Sequence, residues 1–435
     1  MILLFAMARL AVAAPPGVVE AIPDNGDVNV DPNLSEIRIT FDQRMDTRGR
    51  SIVGGGESFP EIAGEIRWVG GKTIVIPVKL KPDHEYWLSI NNQQYRNFAN
   101  VRGESAAPYP IRFVTGGADD AITPADQREL NAAAVDRLRA ALAMSYSYCD
   151  RTGVDWDGLL DDNRGALERT RTPRAFGRVV STLLAKAEDK HVWVEVDGSR
   201  MPTYRSPPVP NVNPELLPEV VPGFERLSPI VFMGRWDDGV GYVNVASWDG
   251  ANPEAVEAAF EALWRLHDAR AIIVDVRMNG GGDETLAKAF AGCFIDEPVL
   301  YAKNRYVDPA NPGVFGPVLD RIVEPSTRRP RFTGPVAVLS GPVVMSSNEA
   351  FVLMMKAAPR ATVMGGTTQG SSGNPRPHDL GNGVTIWLPS WQGMDARGVM
   401  FEGVGIEPDI AVDAPPERLM RADPVLDAAL EHLRE

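Results

Sequence analysis

Apolar and polar positions alternate with a period of two through the first hundred residues. Ile37-Arg-Ile-Thr-Phe41, Thr73-Ile-Val-Ile-Pro-Val-Lys-Leu80, Tyr86-Trp-Leu-Ser-Ile90 and Ile111-Arg-Phe-Val-Thr115 read as strands. Turn pairs at Asn25-Gly26, Gly70-Gly71 and Pro82-Asp83 separate them. Short strands at this spacing predict an all-β sandwich over residues 17–116. A polar linker follows at 116–120, and then the period changes. Leu138, Ala141, Leu142 and Tyr146 recur at helical spacing, Asp155 is placed to cap a second helix, and Pro173 sits in the first turn of a third. Residues 124–190 are thus expected as a helical subdomain, with His191 where the last helix hands over to a strand at 192–196. Residues 199–227 are rich in proline and read as an irregular, exposed connection. From Val240 onward apolar runs alternate with amphipathic helices. Ala271-Ile-Ile-Val-Asp-Val276 and Val336-Ala-Val-Leu339 are continuous runs of the kind buried in a sheet covered on both faces. The expectation is a multidomain α and β chain, with an α/β core over 191–415 and a C-terminal helix at 416–435.

Composition changes this picture little. Of 435 residues, 44% are hydrophobic and 23% charged, ordinary for a folded chain with a sizeable core. The formal net charge of −14 argues against nucleic acid or an anionic membrane as partner. Cys149 and Cys293 lie far apart in apolar surroundings and read as free buried thiols. Zinc-finger, Walker and dinucleotide fingerprints are all missing. The opening stretch, Met1-Ile-Leu-Leu-Phe-Ala-Met-Ala-Arg-Leu-Ala-Val-Ala-Ala14, is apolar and ends in an A-x-A pattern. It reads as a secretory signal over 1–14, placing the mature chain in the periplasm or outside the cell. No later segment has the ~20 apolar residues needed to span a membrane.

Two stretches carry candidate chemistry. Ser346 and Ser347 stand between the apolar run 336–339 and a strong helix former beginning at Asn348. A serine there caps the helix, or acts as a nucleophile whose developing anion is stabilised by free N–H groups and the helix dipole. Gly280-Gly-Gly282 follows the buried run 271–276 and precedes a helix. Such a loop is either a plain strand-to-helix turn or a set of backbone N–H groups that binds an anion.

Ile273-Val-Asp-Val-Arg-Met-Asn-Gly-Gly-Gly282 followed by Ser346-Ser-Asn-Glu349 resembles the S41 peptidases, a family that includes the carboxy-terminal processing proteases and the tricorn-like core. The resemblance spans roughly residues 125–412. It implies a crotonase/ClpP-like spiral of ββα units for the core, and Ser346 rather than Ser347 as nucleophile. It also implies an oxyanion hole from the N–H of Ser347 and of Gly280 or Gly281. The processing proteases use a lysine base, but here the corresponding position is Ser371, within Gly365-Gly-Thr-Thr-Gln-Gly-Ser-Ser-Gly373. No PDZ-like segment is recognisable. The tricorn-like and retinoid-binding-protein-like branch instead uses a histidine and a late glutamate. Ala187-Glu-Asp-Lys-His191 and Phe401-Glu-Gly-Val-Gly-Ile-Glu-Pro-Asp409 match those settings. The implied relay is Ser346, His191 as general base and Glu402 as orienting acid, with Ser371 and Ser372 as possible intermediaries.

The chemistry of that set is coherent. Serine is a weak nucleophile until a base takes its proton, histidine does so near neutral pH, and a carboxylate steadies the imidazolium. No metal or organic cofactor is needed. Among other candidates, His378 is a second choice as base and Glu407 a weaker acid. His84 and His267 read as structural, Asp275 and Arg277 as supports of the glycine loop, and Met345 as packing. Trp387 and Trp391 read as core, or as lining of a substrate cleft. A similar pattern, Ile22-Pro-Asp-Asn-Gly-Asp-Val-Asn-Val-Asp-Pro32 with Phe41-Asp-Gln-Arg-Met-Asp46, resembles bacterial Ig-like domains of the surface-layer type; its partner is not indicated. The expected function is hydrolysis of a peptide or protein substrate through an acyl-enzyme. The alternatives are a silent binding or scaffold protein on the same fold, and an ester or amide acyl hydrolase.

Overall fold

The computed structural model describes residues 15–116, 124–308, 311 and 313–435. The expected signal stretch 1–14 and most of the expected linker at 116–120 lie outside the described residues.

The N-terminal unit is β-rich, as the period-two pattern requires. Its strands are β1 (Val18–Ile22), β2 (Asp27–Val30), β3 (Glu36–Phe41), β4 (Ile52–Val53), β5 (Glu61–Ile62), β6 (Arg67–Val69), β7 (Thr73–Lys79), β8 (Glu85–Ile90) and β9 (Tyr109–Thr115). They form one sheet in the order β1-β3-β7-β5, with β6 also on β7, and a second in the order β2-β9-β8-β4. In β3 burial alternates, so Ile37, Ile39 and Phe41 join Leu88, Ile111 and Phe113 of the other sheet in one core.

The helical segment contains α1 (Pro124–Ser145), α2 (Trp156–Glu168) and α3 (Pro173–Leu184). Asp155 caps α2 through Gly158 N–H, and Thr172 caps α3 with Pro173 in the first turn. The chain then enters β10 (Trp193–Val196) and β11 (Ser199–Pro202). Asp24 of the N-terminal unit pairs with Arg178 of α3 and accepts the Tyr109 hydroxyl at 2.6 Å, tying the two units together.

The stretch 199–227 is more ordered than its prolines imply. Beyond β11 it holds α4 (Leu217–Val220) and β12 (Glu225–Arg226). Most of the stretch is irregular and exposed or half-exposed, as expected, but Val212, Leu217 and Val221 are buried against the central sheet and anchor it there.

The central unit adds β13 (Val231–Arg235), β14 (Val240–Val245), α5 (Pro253–Arg265), β15 (Ala271–Asp275), α6 (Glu284–Ala291), β16 (Val299–Tyr306), β17 (Leu319–Val323), β18 (Val336–Ser340), α7 (Ser347–Lys356) and β19 (Ala361–Gly365). After these come β20 (Pro375–Asp379), β21 (Val384–Pro389), β22 (Trp391–Asp395), β23 (Ile410–Ala411), α8 (Pro416–Leu419) and α9 (Pro424–Arg434). The main sheet runs β12-β13-β14-β15-β18-β19-β23 and is parallel from β14 to β23. Every residue of β14, β15 and β18 is buried. Apolar residues of α5, α6 and α7 share a core on one face, and those of α4 and α9 pack on the other. Each fully buried Val, Leu or Ile contributes about 1.5–3 kcal/mol, so these strands anchor the unit.

The division expected at residue 190 does not separate packed units. β10 pairs with β21, a strand far along the chain, in the sheet β11-β10-β21-β20. Val194, Val196, Ile386 and Leu388 pack with Leu138, Phe176 and Leu184 of the helices. The helical segment therefore rests on a four-stranded sheet of its own, built partly from the return of the C-terminal half. Among the described residues no helix is long and apolar enough to cross a membrane. Cys149 and Cys293 are both free; Cys293 is buried and Cys149 half-buried.

Candidate active site

Ser346 occupies the N-cap of α7 with φ 57° and ψ −131°. A non-glycine residue held there costs about 1–3 kcal/mol and persists only where its surroundings over-determine it. The surroundings are polar and buried. The Ser346 N–H donates to Ser371 O at 2.8 Å and to Glu349 Oε2 at 3.2 Å. Glu349, wholly buried, also accepts the Thr368 hydroxyl at 2.6 Å, Gly370 N–H at 2.7 Å and Ser371 N–H at 2.9 Å. Burial pushes its carboxyl up to about 7 against these hydrogen bonds. One carboxyl thus ties the serine turn to the 368–372 loop.

The glycine loop is locked to the same helix. Asn348 Nδ2 donates to Val276 O at 3.1 Å and Asn279 O at 3.0 Å, and its Oδ1 accepts Trp248 Nε1 at 3.0 Å. Gly281 has φ 107°, and a Cβ added there would lie 2.8 Å from Ser346 Cβ and 3.2 Å from Ser347 N. At Gly282, with φ 135°, an added Cβ would lie 2.0 Å from Trp248 O. Only glycine fits either position.

This geometry separates the two expected oxyanion glycines. The Gly281 N–H donates to Asn279 Oδ1 at 2.8 Å and is already used. The N–H groups of Gly280 and Ser347 are engaged by no hydrogen bond among the described residues, and both residues line the cleft. Gly280 is therefore the available donor and Gly281 the close-packed support.

His191 follows α3 and is buried, with its side chain on the same cleft. Its N–H donates to Asp189 Oδ1 at 2.8 Å, and Asp189 Oδ2 accepts the Tyr146 hydroxyl at 3.0 Å. Its Nδ1 lies 2.8 Å from Ser371 Oγ. Burial draws the imidazole down to about 4, the nearby Arg200 charge acts the same way, and the Ser372 backbone opposes. The ring is thus neutral at pH 7, the form in which it accepts a proton.

Glu402 does not hydrogen-bond to His191. Its Oε2 accepts Ser372 N–H at 2.7 Å and the Ser372 hydroxyl at 2.9 Å. Tyr148 OH lies 2.7 Å from Ser372 Oγ and accepts Gly393 N–H at 2.8 Å. Burial, with Asp189 and Glu349 nearby, pushes the Glu402 carboxyl well above the usual range. The carboxyl and the imidazole are joined through consecutive residues, Ser372 and Ser371.

His191, Gly280, Ser346, Ser347 and Ser372 line a cleft of about 1370 Å³. Met345 and Trp391 line it; Trp387 instead stacks on Trp193 with ring centroids 5.1 Å apart. His378 is half-buried on β20, His267 caps its own helix end through Trp264 O at 2.9 Å, His84 contacts Glu57 O at 2.9 Å, and Glu407 is exposed; none lines the cleft. Arg277 sits buried between Asp275 and Asp423, with nitrogens 2.7 Å from each, supporting the loop from behind. Sequence reasoning assigned no role to Asp189, Tyr148 or Glu349. Signals existed for Glu349, a carboxylate in the first turn of an otherwise apolar helix, and for Asp189, which lies two residues before His191 in the quoted Ala187-Glu-Asp-Lys-His191 setting.

Residues 239–412 match the model of peptidase family S41. Among solved structures the chain is similar to a candidate peptidase from Parabacteroides merdae, with 25% identity and a TM-score of 0.61, covering 71% of this chain and 97% of that one. Mature CPAF in complex with lactacystin shares the fold at 12% identity and a TM-score of 0.50, again over 71% of this chain and 97% of that one. The matched span contains the glycine loop, Ser346 and Glu402, and the family match together with the structural likeness supports a serine peptidase of the S41 kind.

Proposed function

We propose that the protein hydrolyses peptide bonds through an acyl-enzyme formed on Ser346. One observation carries this reading: Ser346 is held at φ 57° on a cleft that also presents His191 and the unengaged N–H groups of Gly280 and Ser347. Ser346 Oγ attacks the substrate carbonyl carbon as its proton passes to His191 Nε2. The oxyanion is held by the N–H groups of Ser347 and Gly280. His191 returns the proton to the leaving amine, the C–N bond breaks, and an ester to Ser346 remains. Water then attacks the ester, His191 takes and returns a proton, and the acid is released.

Ser371 holds Nδ1 of the ring, so Nε2 is the nitrogen left to face Ser346. Glu402 acts through Ser372 and the adjacent Ser371, orienting the base indirectly. The N-terminal sandwich is read as an Ig-like module, the sequential parallel sheet as a ClpP-like spiral, and the apolar opening stretch as an export signal.

Labelling by a fluorophosphonate probe tests the nucleophile. Wild type is expected to label, and Ser346→Ala and His191→Ala to lose labelling while keeping the same melting temperature within a few degrees. Labelling that persists in Ser346→Ala sinks the assignment.

A further inference from the structure

Tyr146, Ser147 and Tyr148 directly follow α1; all three are buried and none lines the cleft. Ser147 pins them to β21 and β22. Its N–H donates to Pro389 O at 3.0 Å, its hydroxyl donates to Trp391 O at 3.1 Å, and its O accepts Gln392 Nε2 at 2.7 Å. Tyr146 is engaged by Asp189, whereas Tyr148 meets the link between the carboxyl and the base. The Tyr148 oxygen accepts Gly393 N–H at 2.8 Å and lies 2.7 Å from Ser372 Oγ. Ser372 gives both its N–H and its hydroxyl to Glu402 Oε2, and its backbone acts on the His191 imidazole. On the remaining side β22 comes so close that a Cβ added at Gly393 would lie 2.8 Å from Ser372 Oγ and 3.1 Å from Phe401 Cζ. Tyr148, Gly393 and Glu402 thus enclose the Ser372 side chain.

The donors present set the direction of these hydrogen bonds. Tyr148 keeps its proton, since burial and the Glu402 charge push the phenol well up. Its oxygen is already taken by Gly393 N–H, and among the described residues Ser372 Oγ is the acceptor its proton reaches. The Ser372 proton is then left for Glu402. Gly393 N–H donates to Tyr148, Tyr148 to Ser372 and Ser372 to Glu402, and each bond polarises the next. A buried tyrosine satisfied by its neighbours is ordinary. This one differs in its partner, for Ser372 is the residue through which the carboxyl reaches the base. We infer that Tyr148 is a positioning residue for the proposed hydrolysis, fixing the Ser372 hydroxyl on Glu402 and thereby the pair Ser371 and Ser372 that orients His191. The inference rests on the acyl-enzyme reading above.

Fluorophosphonate labelling of the full chain, timed at several probe concentrations, separates probe binding from the rate at which Ser346 is modified. Tyr148→Phe removes one oxygen and keeps the ring. It is expected to slow modification about tenfold, the worth of an outer partner that orients a reacting group. Probe affinity should stay within about twofold, because Tyr148 does not line the cleft, and the melting temperature within a few degrees. Ser372→Ala is expected to slow modification similarly. Adding Tyr148→Phe to it should cost less than about twofold more, since the route through Ser372 is already broken. A merely structural tyrosine would lower the melting temperature instead, and its loss would multiply with that of Ser372. Should Tyr148→Phe fail to fold, protein made with 3-fluorotyrosine, a stronger donor of nearly the same shape, carries the test. Modification is then expected about twofold faster with Ser372 present and unchanged in Ser372→Ala. Equal rates for wild type and Tyr148→Phe, multiplying losses in the double variant, or a fluorotyrosine effect that is absent or survives Ser372→Ala each overturn the role of Tyr148 alone. A wild type that takes no probe overturns the acyl-enzyme reading, and this role with it.

Discussion

The two walls of the cleft are built on different principles. The serine wall comes from neighbouring parallel strands, β15 and β18, paired from Ile272↔Val336 to Asp275↔Leu339. The loops leaving their ends are fastened by the buried amides of Asn279 and Asn348 and by two glycines that no other residue can replace. The histidine wall is gathered from four separate segments that contribute Tyr146 and Tyr148, Asp189 and His191, Ser371 and Ser372, and Glu402. The serine wall contains neutral hydrogen bonds and one buried glutamate, with the buried Arg277–Asp275–Asp423 cluster behind its glycine loop. The histidine wall holds an imidazole lowered to about 4, Asp189 raised by burial to about 6, and Glu402 raised by burial well above the usual carboxylate range. Rigid geometry governs one wall and the balance of charge the other, so substitutions in them should fail in different ways.

The largest effect is expected on the serine wall. Gly281→Ala places a Cβ 2.8 Å from Ser346 Cβ at a φ of 107°, displacing either the proposed nucleophile or the proposed oxyanion donors. Removing one such donor typically costs 10²–10³-fold, and kcat/KM is expected to fall by about that factor at every pH. A pH-independent loss is the mark of a steric failure. Retention of activity within threefold, by steady-state kinetics on a peptide the wild type cleaves, breaks the claim that this wall is fixed by glycine geometry.

The same contrast explains how much of the molecule was legible in the sequence. The strands, helices and caps followed hydrophobic period and turn chemistry, since each is a local property; Asp155, Thr172 and Pro173 sit where those rules place them. The glycine loop and Ser346 were legible because each occupies a short contiguous motif. The buried anchors within 199–227 were not anticipated because proline content reports on backbone donors and says nothing of what Val212 and Leu217 pack against. Asp189 and Tyr148 were missed for a related reason. Their partners, Tyr146 and Ser372, are 43 and 224 residues away, and even the motif that holds Asp189 does not say what its carboxyl will meet. The choice between Gly280 and Gly281 depended on where one N–H points, which the string Gly-Gly-Gly does not encode.

A smaller effect is expected from Ser371→Ala, which removes the hydroxyl 2.8 Å from His191 Nδ1. Outer partners that orient a reacting group are worth about 10–100-fold. The loss is expected in kcat, with KM unchanged within twofold, because Ser371 orients the base and is not among the groups lining the cleft. An equal rise in KM with kcat preserved would make Ser371 a substrate contact and remove it from the link between Glu402 and His191.

The smallest effect, and the one most specific to the histidine wall, is expected from Arg200→Gln measured with a neutral, amidated peptide. The Arg200 charge opposes protonation of His191, second only to burial. Removing it favours the imidazolium, so the histidine pKa rises from about 4 toward its ordinary value. The base works in its neutral form, so the acid limb of kcat/KM moves to higher pH. Activity near pH 5 falls relative to wild type, while activity at pH 7 and above changes little because the ring is neutral in both proteins. Arg200 is exposed, so solvent screening keeps the shift small, and raising the salt should shrink it further. Gly281→Ala lowers the whole profile without moving its limb; Arg200→Gln moves the limb without lowering the plateau. A limb that stays at about pH 4 in Arg200→Gln would show that burial alone sets the histidine.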